Sequence, residues 1–184
     1  EMNSLNNRKV LVTGGAGFIG SNLVADLVKS GNQVTVIDNF VSGYRNNLYP
    51  FPSVRLIEKD IMDRDAVLRA VEGNEVIFHL AASVGNKRSI NDPVTDASVN
   101  VLGTLNILEA ARKQGVEKVV VSSSAGIFGE LKTLPIREDH PVEPDSPYGC
   151  TKLCEEALSC ICKALSDGNC LFKVFQCLWS KSEV

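Results

Sequence analysis

Three evenly spaced glycines follow the first predicted strand of this 184-residue chain. Gly14, Gly17 and Gly20 lie in the segment TGGAGFIG, residues 13–20, directly before a predicted helix. In such a turn the first glycine permits a sharp bend, the second lets a pyrophosphate approach the backbone, and the third allows close packing of helix on sheet. The N–H groups and the dipole of the helix start then favour phosphate oxygens. The motif therefore predicts a dinucleotide site.

Acidic residues after the next two predicted strands could complete that site. The Asp38 carboxylate can accept hydrogen bonds from both hydroxyls of an adenosine ribose, and it would repel a 2′-phosphate, which favours NAD over NADP. The alternative is a solvated aspartate that caps a turn. Asp60 and Ile61 could reach the adenine, although an ordinary loop explains them nearly as well.

A tyrosine and a lysine at helical spacing form a second chemical pattern. Tyr148 and Lys152 are four residues apart, so they share one face of a predicted helix. A free tyrosine is a poor base at neutral pH because its pKa is about 10, but an adjacent ammonium and a positively charged nicotinamide ring both stabilise the phenolate. Such a pair can act as an acid/base, and the lysine can also hold the nicotinamide ribose. Taken alone, the pattern would describe an exposed surface pair.

A run of serines, residues 122–124, ends the fifth predicted strand. A hydroxyl at that place could hold a substrate hydroxyl or carbonyl beside Tyr148. Loop polarity is the simple alternative, and the sequence does not decide which serine faces the site.

Alternating strands and helices must position these groups. The strands are nearly all apolar, which predicts a parallel sheet covered on both faces, and right-handed crossovers then give a doubly wound α/β fold with strand order 3-2-1-4-5-6. Two polar segments, 40–52 and 129–147, are the long loops that would border the ligand crevice. We predict strands over 9–13, 33–37, 54–57, 75–80, 118–122 and 171–178, and helices over 18–29, 63–71, 94–112 and 147–165.

Composition argues against several other classes of protein. The chain is 44% hydrophobic and 22% charged, with a net charge of −3, so a broad basic surface for nucleic acid is not expected. It has no apolar run that could span a bilayer and no apolar signal region near its start, which favours a cytoplasmic protein without a membrane partner. All six cysteines follow residue 149 and form no CxxC pair. We therefore expect no metal site and no disulfide, but small side chains packed on a helix.

The motifs together resemble one known family. In chain order they are TGGAGFIG, Asp38, Asp60-Ile61, His79-Leu80-Ala81-Ala82, SSSAGIFGE and YGCTK, an order typical of the extended short-chain dehydrogenase/reductases. Within that family the chain is most similar to nucleoside-diphosphate-sugar 4-epimerases of the UDP-glucose or UDP-N-acetylglucosamine type. The resemblance covers about residues 8–165.

The resemblance implies a role for each matching residue. Ser124 would hold the substrate hydroxyl, Tyr148 would be the base, and Lys152 would stabilise the phenolate and bind ribose. Asn100 matches an asparagine with a structural role, and His79 is expected to be a packed strand-end residue. The residues implied in NAD binding are Gly14, Gly17, Phe18, Ile19, Gly20, Asp38, Asn39, Asp60, Ile61, Ala81, Ala82, Tyr148 and Lys152.

The implied reaction is epimerisation at C4 of a UDP-linked or related nucleoside-diphosphate sugar, through a transient 4-keto intermediate and without net redox change. The alternatives are an NAD-dependent decarboxylase, reductase or dehydrogenase that acts on a sugar nucleotide, or a nucleotide-binding protein without chemistry. Ala125-Gly126 stand where family dehydratases carry an Asp-Glu pair, which argues against dehydration. Phe128 stands where the family usually has a tyrosine.

The resemblance also predicts the domain organisation. We expect an NAD-binding Rossmann domain over residues 8–178 and a tail over 179–184, because family members usually continue into a smaller substrate domain. With that domain largely missing, NAD would bind while turnover would be weak or absent. The family's common homodimer surface would be formed by the helices predicted over 94–112 and 147–165.

Overall fold

Six parallel strands form a sheet in this computed structural model, which describes residues 5–165 and 171–175. The strand order is β3-β2-β1-β4-β5-β6, so the predicted doubly wound topology is confirmed. The first five strands agree with prediction to within one residue at each end, and the last three residues of the predicted sixth strand lie outside the described residues. The strands are β1 (Lys9–Thr13), β2 (Gln33–Asp38), β3 (Arg55–Glu58), β4 (Val76–His79), β5 (Lys118–Ser122) and β6 (Leu171–Phe175).

The helices differ from prediction at two places. The helix predicted over 94–112 is observed as two α-helices joined by a π-helical segment, Ser98–Gly103. A short helix with the sequence NKRSIN was not predicted, because its single large apolar residue gives no helical periodicity. The α-helices are α1 (Phe18–Lys29), α2 (Arg64–Val71), α3 (Asn86–Asn91), α4 (Pro93–Ala97), α5 (Thr104–Gln114) and α6 (Pro147–Leu165).

Successive side chains of β1 are buried on opposite faces of the sheet. Val10 and Val12 belong to the apolar cluster that includes Val24 of α1. Leu11 belongs to the cluster on the other face, together with residues of α2 and α5 such as Ile107. Each large aliphatic side chain buried in this way contributes about 1.5–3 kcal/mol. Two apolar layers therefore fix the central strand, and its carboxyl end carries the glycine turn.

The described helices include none that is long and apolar enough to cross a membrane. The domain boundary predicted at residue 178 and the tail predicted over 179–184 lie outside the described residues. The predicted domain organisation therefore stays a prediction.

Candidate functional site

The carboxyl ends of the central strands open into one large cavity. Thr13 at the end of β1 lies opposite Ile37 of β2 and His79 of β4, so the loops that follow these strands start at the same level. The cavity between the loops has a volume of about 760 Å³. The site residues predicted from the sequence all line it, namely Gly14, Gly17, Phe18, Ile19, Gly20, Asp38, Asn39, Asp60, Ile61, Ala81, Ala82, Ser124, Tyr148 and Lys152. The structure thus brings these residues together, while their individual roles stay predictions.

The glycine turn forms one wall of the cavity, and two of its positions exclude any side chain. Gly14 has a φ of 69°, and a Cβ atom there would lie 2.8 Å from the backbone nitrogen of Ala81. A Cβ atom on Gly20 would overlap the carbonyl oxygen of Gly14. α1 starts directly after Gly17 and carries no acidic residue in its first turn. Its positive dipole end therefore faces a bare backbone cradle, which suits a pyrophosphate.

The Asp38 carboxylate is buried and fixed by the backbone around it. One oxygen accepts a hydrogen bond from the N–H of Ala16 at 2.9 Å, and the other accepts one from the N–H of Phe40 at 2.8 Å. A carboxylate has about four acceptor sites, so each oxygen retains a lone pair for a ligand. Asp38 is therefore a rigid acceptor rather than a solvated turn residue.

A second pair joins the loops that follow β2 and β3. The Asn39 amide donates to an oxygen of Asp60 at 2.7 Å, and the other oxygen of Asp60 accepts from the N–H of Met62 at 2.8 Å. Sequence reasoning named both residues as cofactor ligands but did not predict this bond, because nothing in the chain order indicates which loop side chains will meet. Both bonded residues and Ile61 line the cavity.

Ser124 and Tyr148 flank the same glycine. Ser124 Oγ accepts from the N–H of Gly126 at 3.1 Å, and a Cβ atom built on Gly126 would lie 3.4 Å from that hydroxyl and 3.4 Å from the ring of Tyr148. A Cβ atom on Gly149 would overlap the carbonyl oxygen of Gly126. Because both positions are glycine, the first turn of α6 can approach the turn after β5, and the Ser124 hydroxyl and the Tyr148 ring lie on either side of Gly126.

Lys152 is buried one helical turn beyond Tyr148. Its Nζ donates to Glu155 Oε2 at 2.7 Å, and the two side chains are 4% and 1% exposed. Burial raises the pKa of Glu155 to about 7, against the opposing effect of Lys152. Sequence reasoning missed Glu155, although its spacing of three residues from Lys152 on a predicted helix is a signal for such a pair.

A buried polar network holds the start of α6 in place. The Asn100 side chain accepts from the N–H of Ser83 at 2.7 Å and donates to the carbonyl of Ser83 at 3.0 Å and to Thr151 Oγ1 at 3.1 Å. Thr151 Oγ1 in turn donates to Asp96 of α4 at 2.7 Å. Asn100 therefore has a structural contact role, because its amide connects the loop after β4 to the helix that carries Tyr148.

His79 is fully enclosed between two threonines. Nδ1 lies 2.7 Å from Thr13 Oγ1, and Nε2 lies 2.9 Å from Thr104 Oγ1. Burial, and secondarily the charge of Lys152, lowers the pKa of His79 to about 3. The imidazole is therefore neutral at physiological pH and joins β1 to α5, as expected for a packed strand-end residue.

The cavity has features that fit a dinucleotide. Besides the glycine cradle and the acceptor at Asp38, its lining includes Ser123, whose buried Oγ has no hydrogen-bond partner among residues 5–165 and 171–175. A ligand polar group could satisfy that hydroxyl. Over the same residues, no cluster of three or more His, Cys, Asp or Glu side chains is arranged to hold a metal ion.

The cysteines differ partly from expectation. The four that the structure describes are free thiols. Cys162 packs against the core, but Cys150 and Cys160 are exposed, so the expectation of packed cysteines is wrong for these two. The reason is their place on the outer face of α6, which no described element covers. Cys170 and Cys177 lie outside the described residues.

The sequence matches one protein-family model over residues 11–168, the model described as GDP-mannose 4,6 dehydratase. Among curated proteins, a putative UDP-glucose 4-epimerase of Methanocaldococcus jannaschii is 43% identical, with 78% of this chain and 47% of the relative covered. A UDP-glucose 4-epimerase of Mycolicibacterium smegmatis is 44% identical, with 88% and 53% covered. A UDP-N-acetyl-alpha-D-glucosaminuronate decarboxylase of Bacillus cytotoxicus is 38% identical, with 89% and 49% covered. The chain spans about half the length of the curated relatives it matches.

Two solved structures of epimerases are similar to this chain in fold as well as in sequence. A UDP-N-acetylglucosamine 4-epimerase of Methanobrevibacter ruminantium, in complex with UDP-N-acetylmuramic acid, has a TM-score of 0.86 at 30% identity, with 94% of this chain and 55% of that chain covered. A UDP-glucose 4-epimerase of Thermus thermophilus, in complex with NAD, has a TM-score of 0.83 at 39% identity, with 91% and 53% covered.

Proposed function

Because the chain belongs to the family of the GDP-mannose 4,6 dehydratase model, within the extended short-chain dehydrogenase/reductases, we propose that it binds NAD and acts on a nucleoside-diphosphate sugar. The observation that carries the proposal is one cavity that holds both the glycine turn and the group of Ser124, Tyr148 and Lys152. A dinucleotide spans such a cavity and brings its nicotinamide end to the acid/base pair. The likeness to NAD-bound epimerases supports this reading.

Different residues of the cavity wall would bind different parts of the dinucleotide. The turn from Gly14 to Gly20 and the start of α1 would hold the pyrophosphate, and Asp38 would accept from the adenosine ribose. Asp60 and Ile61 would border the adenine. Tyr148 and Lys152 would bind the nicotinamide ribose. This assignment is supported by the strand order, in which the loop after β3 with Asp60 and the turn after β5, which α6 approaches, lie on opposite sides of β1. NAD is preferred over NADP because the fixed Asp38 carboxylate would repel a 2′-phosphate.

The reaction we propose is inversion at C4 of the sugar through a transient 4-keto state. Tyr148, as a phenolate, would take the proton of the sugar 4-hydroxyl and later return it. Ser124 would hold that hydroxyl beside the phenol ring, and the Lys152 ammonium would favour the phenolate form. When bound, NAD would supply the hydride acceptor at C4 and then the hydride donor, so that the reaction has no net redox change.

Two observations favour epimerisation over the other reactions of this family. The turn after Ser124 is Ala125-Gly126, so it presents no carboxylate where a dehydratase needs one to remove water. The named relatives also include more UDP-glucose 4-epimerases than decarboxylases. The decarboxylase of Bacillus cytotoxicus is the observation that favours the second candidate, an NAD-dependent decarboxylase of a UDP-sugar acid.

We also propose a homodimer formed by the helices between Pro93 and Gln114 and by α6. These helices pack beside each other and leave large apolar side chains exposed on their outer faces. They are Val94, Leu102, Leu105 and Ile161. A second copy of the chain would cover that surface.

The proposed reaction is tested by product analysis. The full chain, loaded with NAD and used in stoichiometric amount, is incubated with UDP-glucose or UDP-N-acetylglucosamine, and the sugar is examined by NMR. We expect the C4 epimer without accumulation of NADH. Tyr148→Phe should still bind NAD but lose at least about 100-fold in rate, since a positioned acid/base contributes about that much.

A matched control is Tyr44→Phe, which removes the same hydroxyl from an exposed tyrosine outside the cavity. Its rate should equal that of the unmodified chain. Unchanged turnover in Tyr148→Phe, or accumulation of NADH without the C4 epimer, would refute the proposed reaction.

A further inference from the structure

The buried partner of Lys152 is a carboxyl group that does not belong to the cavity. Glu155 is 1% exposed and lies one turn behind Lys152 on α6, while Lys152 itself lines the cavity wall. The 2.7 Å bond between them fixes the direction of the lysine side chain. Glu155 therefore cannot touch a ligand in the cavity, and it can act there only through Lys152.

Burial opposes the ionisation of Glu155, Lys152 favours it, and two nearby acidic side chains oppose it. Lys152 and Glu156 act on it from its own helix, and Asp96 acts on it from α4. One oxygen of Glu155 and one of Asp96 are buried without a hydrogen-bond partner in the part of the chain that the structure describes. Burial, together with the weaker repulsion by Asp96 and Glu156, outweighs the attraction of Lys152, so that Glu155 has a pKa of about 7. Its charge changes within the physiological range.

In the proposed site, the charge of Glu155 would set the net charge of the Lys152–Glu155 pair, which lies on the same helical face as Tyr148. A protonated Glu155 would leave the Lys152 ammonium uncompensated. When Glu155 is ionised at 2.7 Å from that ammonium, the pair has no net charge and its effect on a neighbouring phenolate is much weaker. Neutral His79, the other titratable group on which Lys152 acts, adds no charge.

We infer that Glu155 is a positioning residue, which holds Lys152 in place and, through its own charge, limits how strongly that lysine favours the phenolate form of Tyr148. The inference rests on the proposed function, in which Tyr148 is the base. It assigns to one buried carboxyl group a control over the proton affinity of the reacting hydroxyl.

The inference is tested by titrating Tyr148 directly. The chain has three tyrosines, and the other two, Tyr44 and Tyr49, are exposed and can be replaced by phenylalanine in all samples. Ultraviolet absorbance of the phenolate is then recorded against pH in the full chain. Glu155→Gln should shift the midpoint to lower pH by about one unit, because the isosteric amide removes the compensating charge and leaves the ammonium.

Two further variants separate an electrostatic effect from a structural one. Glu156→Gln removes the same charge from the next residue, which has no ion pair with Lys152, and should shift the midpoint far less. Glu155→Asp keeps the charge and should leave the midpoint near that of the unmodified chain. If Glu155→Gln does not fold, as judged by circular dichroism, Glu155→Met gives the same readout. An unshifted midpoint in the folded variant, or an equal shift in Glu156→Gln, would overturn the inference.

A second measurement uses the pH dependence of stability. A carboxyl group whose pKa is raised on folding holds its proton longer in the folded chain, so its contribution is present at low pH and is lost as the pH rises through the folded value. The contribution of Glu155 should therefore fall between about pH 4.3 and about pH 7, while buried neutral His79 contributes a rise over much of the same range. The free energy of unfolding of Glu155→Gln minus that of the unmodified chain should therefore increase with pH across this range. An identical pH profile in the variant would count against a proton on Glu155.

Neither measurement depends on turnover. NAD titration of the same samples separates the two claims. If the chain binds NAD but Glu155→Gln has no effect on the phenolate midpoint, the proposed function stands and this inference is refuted. If the unmodified chain does not bind NAD, the proposed function is refuted, whatever the phenolate titration gives.

Discussion

Asp38 combines two tasks in one side chain. Its oxygens accept from the N–H groups of Ala16 and Phe40, so it fixes the glycine turn and the loop after β2 at the same time. Asp38 also lines the cavity, where the adenosine ribose would lie. Because the backbone holds the carboxylate, it would not turn away from a 2′-phosphate, and we propose that discrimination between the two dinucleotides depends on this residue.

Replacement of Asp38 by asparagine tests that discrimination. The amide has one acceptor oxygen and no charge, so NAD binding should weaken by about 1.5–3 kcal/mol, or at least about tenfold, while the preference for NAD over NADP shrinks. Calorimetric titration with both dinucleotides measures the ratio of affinities, which is less sensitive to overall stability than either affinity alone. Asp26→Asn, an equal change of charge at an exposed position of α1, should alter neither value. An undiminished preference for NAD in Asp38→Asn would remove Asp38 from the site.

The sequence predicts which residues form the candidate site, but it does not predict all of their hydrogen-bond partners. The glycine spacing, Asp38, and the Tyr148–Lys152 pair are readable because chemistry and helix geometry require them at fixed intervals. The contacts of Asn39 with Asp60 and the burial of Glu155 are not readable in the same way. They depend on which loops and helices meet, and that is decided by the packing of the whole sheet.

Among the elements, α6 is the one on which the site depends most. Its first turn approaches the turn after β5 through Gly126 and Gly149, and its position is fixed by hydrogen bonds to α3 and α4. The N–H of Tyr148 donates to Ser89 Oγ of α3 at 3.1 Å, so an unpredicted helix supports the predicted base. α3 escapes sequence reasoning because it is short and polar, whereas α6 is long and periodic.

The proposed homodimer can be tested at the exposed apolar side chains of α6 and of the helices packed beside it. If a second copy covers them, sedimentation equilibrium should give about twice the chain mass of 19.9 kDa. Leu102→Glu places a charge on this surface and should yield the monomer, while Leu134→Glu, an equal change in the exposed loop after β5, should leave the dimer intact. A monomer in the unmodified chain at micromolar concentration would contradict the proposed homodimer.

For the molecule as a whole, topology explains why one cavity collects residues from distant parts of the chain. A parallel sheet places the carboxyl ends of all its strands on the same edge, and the order β3-β2-β1-β4-β5-β6 sets the glycine turn of β1 at the centre. Asp38 at the end of β2 and Asp60 after β3 then lie on one side of that turn, and Ser124 after β5 lies on the other, next to the start of α6 with Tyr148. This arrangement follows from the apolar strands and could be predicted, whereas the wide π-helical turn within the helix after β4 could not, because local periodicity does not encode it.

The central claim is that Tyr148 deprotonates a sugar hydroxyl beside a bound nicotinamide, and isotope transfer tests it most directly. The NAD-loaded full chain is mixed with UDP-glucose that carries deuterium at C4, and the sugar is recovered and examined by NMR and mass spectrometry. The account predicts C4-inverted sugar that keeps its deuterium in the unmodified chain, because the deuteride returns from the dinucleotide to C4, and no inverted sugar in Tyr148→Phe. Inverted sugar that has lost its deuterium to solvent, or unchanged inversion in Tyr148→Phe, would contradict it.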